Sequence, residues 1–223
     1  MAGIDVYMVR HGQTYFNLLR RFQGFSDAPL TDAGIQDGHK AGQRLAKIHF
    51  DGAYSSDLTR AIHTARYALS ENQAQSPVEP TTLPNFREEN FGSFEGRDSQ
   101  VTLTDLNARV AKPYNDYADM VEDLGMPVVM DIFHDADLYH LAESYQEFVD
   151  RIEAGFKDLK SRHQDGDKVL LVSHGTTIRA IANYFGYPEM AAHSVHNGAV
   201  MHLRLKDDGA DILTFNDNTT VFD

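Results

Sequence analysis

Two short segments far apart in the chain share one pattern, and it constrains the fold more than any other feature. Val6-Tyr7-Met8-Val9-Arg10-His11-Gly12-Gln13-Thr14 is similar to Val169-Leu170-Leu171-Val172-Ser173-His174-Gly175-Thr176-Thr177. In each, an apolar, β-branched run reads as a buried strand and passes directly into His-Gly and then polar residues. The echo is too short for a duplicated domain, and its meaning is geometric. In an open α/β sheet, ligands bind beyond the carboxyl ends of the strands. Two histidines at two such ends can face one pocket.

The rest of the chain fits such a sheet. Further strands are expected at 53–55, 200–205 and 212–215, the last two closing around Asp207-Asp208-Gly209. Helices are expected at 33–48, after Thr31-Asp32, and at 57–69, 141–159 and 177–185. Residues 76–84 form a proline-rich loop around a brief strand at Val78, and 98–141 read as irregular and acidic, with short helices. Strands alternating with helices imply an α/β fold with a mostly parallel central sheet. No linker divides the 223 residues, so one domain spanning 1–223 is expected, with an acidic lid-like insertion at about 97–141.

The formal net charge of −13 removes the basic footprint of a nucleic-acid binder and the polybasic surface of a membrane binder. An anionic substrate therefore needs a local cationic pocket. There are no cysteines, hence no disulfide framework, thiolate metal site or cysteine nucleophile. Residues 1–9 lack signal-peptide character, and no apolar run reaches the ~18 residues of a membrane span. A cytoplasmic location is the expectation; oligomeric state is left open.

Phosphoryl transfer needs an in-line nucleophile, cations around the equatorial oxygens and an acid for the leaving oxygen. A neutral imidazole such as that of His11 attacks phosphorus without a strong base, provided its other ring nitrogen is held. Gly12 leaves room for a phosphate beside it. No acidic residue lies between Asp5 and Asp27, whereas Arg10, Arg20 and Arg21 do, with Asn17 and Gln23 as neutral donors. Arg60 follows Ser55-Ser56-Asp57, where its fork can reach the same strand ends or pair with Asp57. Glu88 is the candidate acid, with Glu89 a rival.

Other residues have competing readings. His134, Asp137 and His140 are spaced three apart, as metal ligands on one helix face would be; an exposed polar helix is preferred. His193, His196 and His202 have no evident partners. Tyr15, Phe16, Phe22 and Phe25 suit either a substrate pocket or the core.

Five segments, in order, resemble the histidine phosphatase superfamily, also called the phosphoglycerate mutase-like family. They are Arg10-His11-Gly12-Gln13-Thr14 with Asn17, residues 24–31 from Gly24, Ser55-Ser56-Asp57-Leu58-Thr59-Arg60-Ala61, Phe86-Arg87-Glu88 leading to Phe91-Gly92 and Glu95-Gly96, and Val172-Ser173-His174-Gly175. The resemblance covers nearly the whole chain. It implies a three-layer α/β/α sandwich and a phosphohistidine on His11. Arg10, Arg60 and His174 would bind the phosphoryl oxygens, with Asn17, Gln23, Gly24 and Gly175 in the same pocket. Glu88, rather than Glu89, would be the acid; no metal and no cofactor are implied.

The family's mutases carry an arginine-rich stretch between the acid and the second histidine. Here residues 113–150 contain no Lys or Arg and many Asp and Glu. Hydrolysis of a small phosphorylated metabolite is therefore expected over cofactor-dependent phosphoglycerate mutase activity, with a catalytically silent binding module on the same fold as the third reading.

Overall fold

The computed structural model describes residues 3–223; Met1 and Ala2, at the start of the 1–9 stretch considered above, lie outside the described residues. The elements in chain order are β1 (Ile4–Arg10), α1 (Tyr15–Leu18), α2 (Asp32–Arg44), β2 (Gly52–Ser55), α3 (Thr59–Ser70), β3 (Thr81–Thr82), α4 (Ser99–Asn107), α5 (Tyr117–Leu124), α6 (Met126–Ala136), α7 (Tyr145–Ser161), β4 (Lys168–Ser173), α8 (Gly175–Tyr184), α9 (Pro188–Ala191), β5 (Val200–Leu205) and β6 (Ala210–Asp217). The sheet order is β3-β2-β4-β1-β5-β6. The pairings from β3 to β1 are parallel, whereas β5 and β6 are antiparallel.

Alternation along β1 divides its side chains between two apolar layers. Val6 and Met8 join Val169 and Leu171 on one face, under Phe148, Ile152 and Phe156 of α7 and Ile178 and Ile181 of α8. Tyr7 and Val9 join Leu170 and Val172 on the other, under Ala41 of α2 and Ala61, Ala65 and Ala68 of α3. A parallel sheet covered on both faces needs strands apolar on both faces, and these are. The result is the three-layer α/β/α sandwich expected.

Register turns the sequence echo into a site. β1 pairs with β4 so that Arg10 lies opposite Ser173. The next residues, His11 and His174, therefore leave the sheet side by side.

Element ends differ from expectation for local reasons. Val78 is exposed, and the short strand falls at Thr81–Thr82 instead. Helix α7 starts at Tyr145 rather than 141, because Ser144 and Glu147 form a reciprocal capping box. Residues 98–141 are more ordered than their acidity suggests. Met120, Met126, Val129, Met130 and Phe133 are fully buried there, in an apolar seam beneath the charged outer face.

The metal reading of His134, Asp137 and His140 fails, and so does the exposed-helix reading. Helix α6 ends at Ala136, and Asp137 is buried. Its carboxylate accepts N–H groups from Ser93 (3.1 Å), Tyr139 (3.1 Å), Leu141 (2.7 Å) and Ala142 (2.9 Å). Burial alone would raise its pKa, but these hydrogen bonds hold it well below the usual carboxylate range. His134 is held by Ala142 O, and His140 is exposed. Asp137→Ala would leave those N–H groups without their acceptor. The variant is expected to lose about 3 kcal/mol in urea unfolding. A loss under about 1 kcal/mol would show that the clamp is unimportant.

Candidate active site

His11 N–H continues the ladder to Ser173 O at 2.9 Å. The ring's Nδ1 lies 2.8 Å from Gly12 O. A carbonyl only accepts, so Nδ1 carries the proton and Nε2 keeps its lone pair. Arg60 Nε points at that lone pair from 3.3 Å. Burial first, then the charges of Arg60 and Arg10, push the imidazole pKa well below 6.5. His11 is therefore neutral near pH 7, as a nitrogen nucleophile must be.

His174 is fully buried, with its ring centroid 5.1 Å from that of His11. Its Nε2 is 2.6 Å from Ser56 Oγ, at the end of β2. Burial, then Arg60, His11, Arg151 and Arg10, depress its pKa strongly as well. Two buried polar atoms here have no hydrogen-bond partner among the described residues, namely His174 Nδ1 and Arg10 Nε. A Cβ on Gly175 would sit 3.0 Å from that Arg10 Nε, so the glycine lets the guanidinium lie against the start of α8. An oxyanion is the complement of the orphan Arg10 N–H, and of His174 Nδ1 when that nitrogen carries the proton.

Arg60 enters from the first turn of α3 and is almost fully buried. It does not pair with Asp57, which binds Arg87 instead. Its Nη1 donates to Ser26 O (2.8 Å) and Asp27 Oδ1 (3.1 Å), and its Nη2 to Gly24 O (2.8 Å). The Gln23 amide bridges Thr14 Oγ1 at 2.5 Å and the guanidinium, with its oxygen turned to Arg60 Nε at 3.0 Å. The loop holding Arg60 is itself held by Glu95, whose carboxylate accepts from the N–H groups of Gly24, Phe25 and Ser26 at 2.8–3.0 Å. Gly24, expected in the substrate pocket, thus has its N–H taken by Glu95 and its carbonyl by Arg60. It backs the arginine instead of facing a ligand.

Glu88 is buried beside His174. Its carboxylate accepts from Thr176 N (3.0 Å), Thr177 N (2.8 Å) and Thr177 Oγ1 (3.0 Å) on the first turn of α8. Glu89 is placed differently: its Oε2 accepts from Tyr117 Oη of α5 at 2.9 Å. Burial pushes its pKa well above the usual value, which favours the protonated form. The geometry thus separates the two candidates, with Glu88 on the histidine side.

Asn17 caps back onto Thr14 N at 3.0 Å and borders the site. Gly12 packs backbone to backbone against Gly34 of α2, where an added Cβ would fall 2.0 Å from Gly34 O. Arg20 and Arg21 are exposed and do not converge with Arg10. Phe22 joins the core, Tyr15 is about half exposed, and Phe25 is flanked by the guanidinium groups of Arg87 (4.8 Å) and Arg151 (5.8 Å). Ser56, Thr64, Glu95 and Asn197 are part of the site although sequence reasoning gave none of them a role. His193 and His196 are exposed, and His202 bonds Asp5 away from it.

Two neutral imidazoles, two guanidinium groups and one carboxyl converge beyond the carboxyl ends of β1 and β4. Residues 6–218 match the family model of the histidine phosphatase superfamily (branch 1), and the chain belongs to that superfamily. It is 29% identical over 230 residues to the 2,3-bisphosphoglycerate-dependent phosphoglycerate mutase of Lactobacillus acidophilus, covering 96% of this chain and 94% of that one. The phosphoglycerate mutase structure from Bacillus anthracis superposes with a TM-score of 0.88 at 29% identity, covering 97% and 94% of the two chains. In fold the chain is also similar to a putative alpha-ribazole-5'-P phosphatase from Escherichia coli, with TM-score 0.73, 24% identity and coverage of 99% and 100%. Among the described residues, no helix is long and apolar enough to cross a membrane, and no group of three or more His, Asp or Glu is placed to hold a metal ion.

Proposed function

We propose that this chain hydrolyses a small phosphate monoester through a phosphohistidine on His11. The observation that carries this reading is the neutral Nε2 of His11, 5.1 Å ring to ring from His174 and flanked by unpartnered nitrogens of Arg10 and His174. His11 Nε2 forms a bond to phosphorus as the bond to the ester oxygen breaks, and Glu88 delivers a proton to the departing alcohol. Water then attacks the phosphohistidine and gives a proton back to Glu88, releasing inorganic phosphate. Arg10, Arg60 and His174 hold the equatorial oxygens, with Asn17 at the margin.

Hydrolysis is favoured over mutase activity by the surroundings of the site. A mutase must retain a bisphosphate, which calls for further cations. The lid-like segment offers none from 113 to 150. The nearby arginines are already engaged, Arg87 with Asp57 and Arg151 with Glu143. The names of the relatives favour the second reading, a phosphoglycerate mutase. A panel of metabolite monophosphates is expected to show phosphate release insensitive to added chelator, with acid-labile phosphate trapped on His11. Efficient 3- to 2-phosphoglycerate conversion in a coupled assay, with negligible hydrolysis across the panel, would reverse the preference. No labelling of His11 with any ester would leave a silent binding module.

A further inference from the structure

The loop between α9 and β5 drew notice in the sequence only for its histidines, yet its asparagine is what reaches the site. Asn197 Nδ2 donates to His11 O at 2.8 Å. The other end of the same peptide group, Gly12 N–H, donates to Thr64 Oγ1 on α3 at 3.0 Å. The His11–Gly12 peptide plane is therefore gripped at its carbonyl and at its N–H, from opposite sides of the chain. The next carbonyl, Gly12 O, is the acceptor that keeps the proton on His11 Nδ1. Rotation of this peptide plane would move that acceptor and release the ring's tautomer.

Asn197 has a second contact, 3.4 Å from Asn17 Oδ1, which also accepts from Thr14 N. Two donors converging on one oxygen fix which way the Asn17 amide faces. Asn197 is itself firmly placed. Gly198 N–H donates to Arg10 O at 3.0 Å, and Arg44 Nη2 donates to Gly198 O at 2.7 Å. Gly198 has φ +70°, and a Cβ there would meet Asp37 O at 3.0 Å, so the turn requires glycine. The same loop supplies Val195 O to the Arg10 guanidinium.

We propose that Asn197 is a positioning residue for the nucleophile: with Thr64, it pins the His11–Gly12 peptide and so fixes the His11 tautomer. The inference rests on reading His11 as the nucleophile.

Asn197→Asp tests it, because the shape is kept while the donor becomes an acceptor facing His11 O. Turnover number is expected to fall about 100-fold, the scale of a small misplacement of reacting groups, with KM changed less than about threefold. In 15N NMR, the His11 ring should lose the single Nδ1–H pattern of the wild type. Thr64→Val should reproduce that spectral change and Thr64→Ser should restore the wild-type pattern. Combining Asn197→Asp with Thr64→Val should cost less than the product of the two effects, since both act on one peptide group. Unchanged His11 ring signals in Asn197→Asp would overturn the proposal, whatever happens to turnover. The spectrum needs no turnover, so absence of phosphohistidine in the wild type would defeat the nucleophile reading separately.

Discussion

His11→Ala is expected to abolish phosphomonoester turnover, by at least about 10⁴-fold, while far-UV circular dichroism stays that of the wild type. The size follows from the role. The proposed mechanism gives His174 a different task, holding the phosphoryl oxygens with its Nε2 tied to Ser56 Oγ, so it does not replace the lost nucleophile. Folding should survive, since the ring's contacts are few: Gly12 O on one side and Arg60 Nε on the other. Arg60 keeps its partners on Asp27, Ser26 and Gly24 after the ring is gone. The cavity should cost about 1–3 kcal/mol. His174→Ala should lose less, because the proposed mechanism shares binding of the phosphoryl group with Arg10 and Arg60. Removing both histidines should cost little more than removing His11 alone, as expected of groups acting in one step. Phosphate release in His11→Ala within tenfold of wild type would refute the mechanism.

The histidines were legible because strand ends carry a strong signal. Two apolar runs each ending in His-Gly need only adjacent parallel pairing to converge, and the Arg10–Ser173 register supplies it. Arg60 was legible for the same reason, one helical turn beyond β2. What supports these groups was much less visible, because it acts through the backbone of distant segments. Glu95 acts on N–H groups some 70 residues away, and nothing in a glutamate beside a glycine announces that. Asn197 had a usable signal that was not used. β5 runs antiparallel to β1, so its first residues lie at the same sheet end as His11. The spacing of His134, Asp137 and His140 misled because periodicity assumes the helix continues, and α6 ends before Asp137. The acidity of 98–141 hid an apolar seam, since composition averages over the buried and exposed faces of a helix.

Stability against unfolding is expected to peak near pH 6.5 and to fall on both sides, for reasons set by the same buried groups. His11 and His174 have pKa values well below 6.5 in the fold, with burial the leading cause. As pH drops below 6.5, the unfolded chain takes up two protons that the folded chain refuses, so stability is lost with acidification. Glu89 works in the opposite direction. Burial keeps its carboxyl protonated far above 4.5, so above that value the unfolded chain has released a proton that the fold retains. That contribution falls as pH rises. Below pH 6.5 the balance of these three groups is one proton, or about 1.4 kcal/mol lost per pH unit of acidification. His202, whose pKa burial also lowers, steepens the loss. Above 6.5 the histidines are neutral in both states, and Glu89 alone gives a decline of about 1.4 kcal/mol per unit up to its folded pKa. Asp137, with its depressed pKa, adds nothing to the slope until the pH falls to about 4. Over two units of acid the loss is about 3 kcal/mol or more, a large share of the 5–15 kcal/mol typical of a folded domain. Urea unfolding from pH 5 to 8.5 measures the curve directly. Glu89→Gln keeps an acceptor for Tyr117 and should flatten the alkaline side, whereas His11→Ala should make the acid side shallower. A wild-type curve that is level between pH 5 and 6.5 would mean that the two imidazoles are not buried bases. The neutral nucleophile would then lose its physical basis.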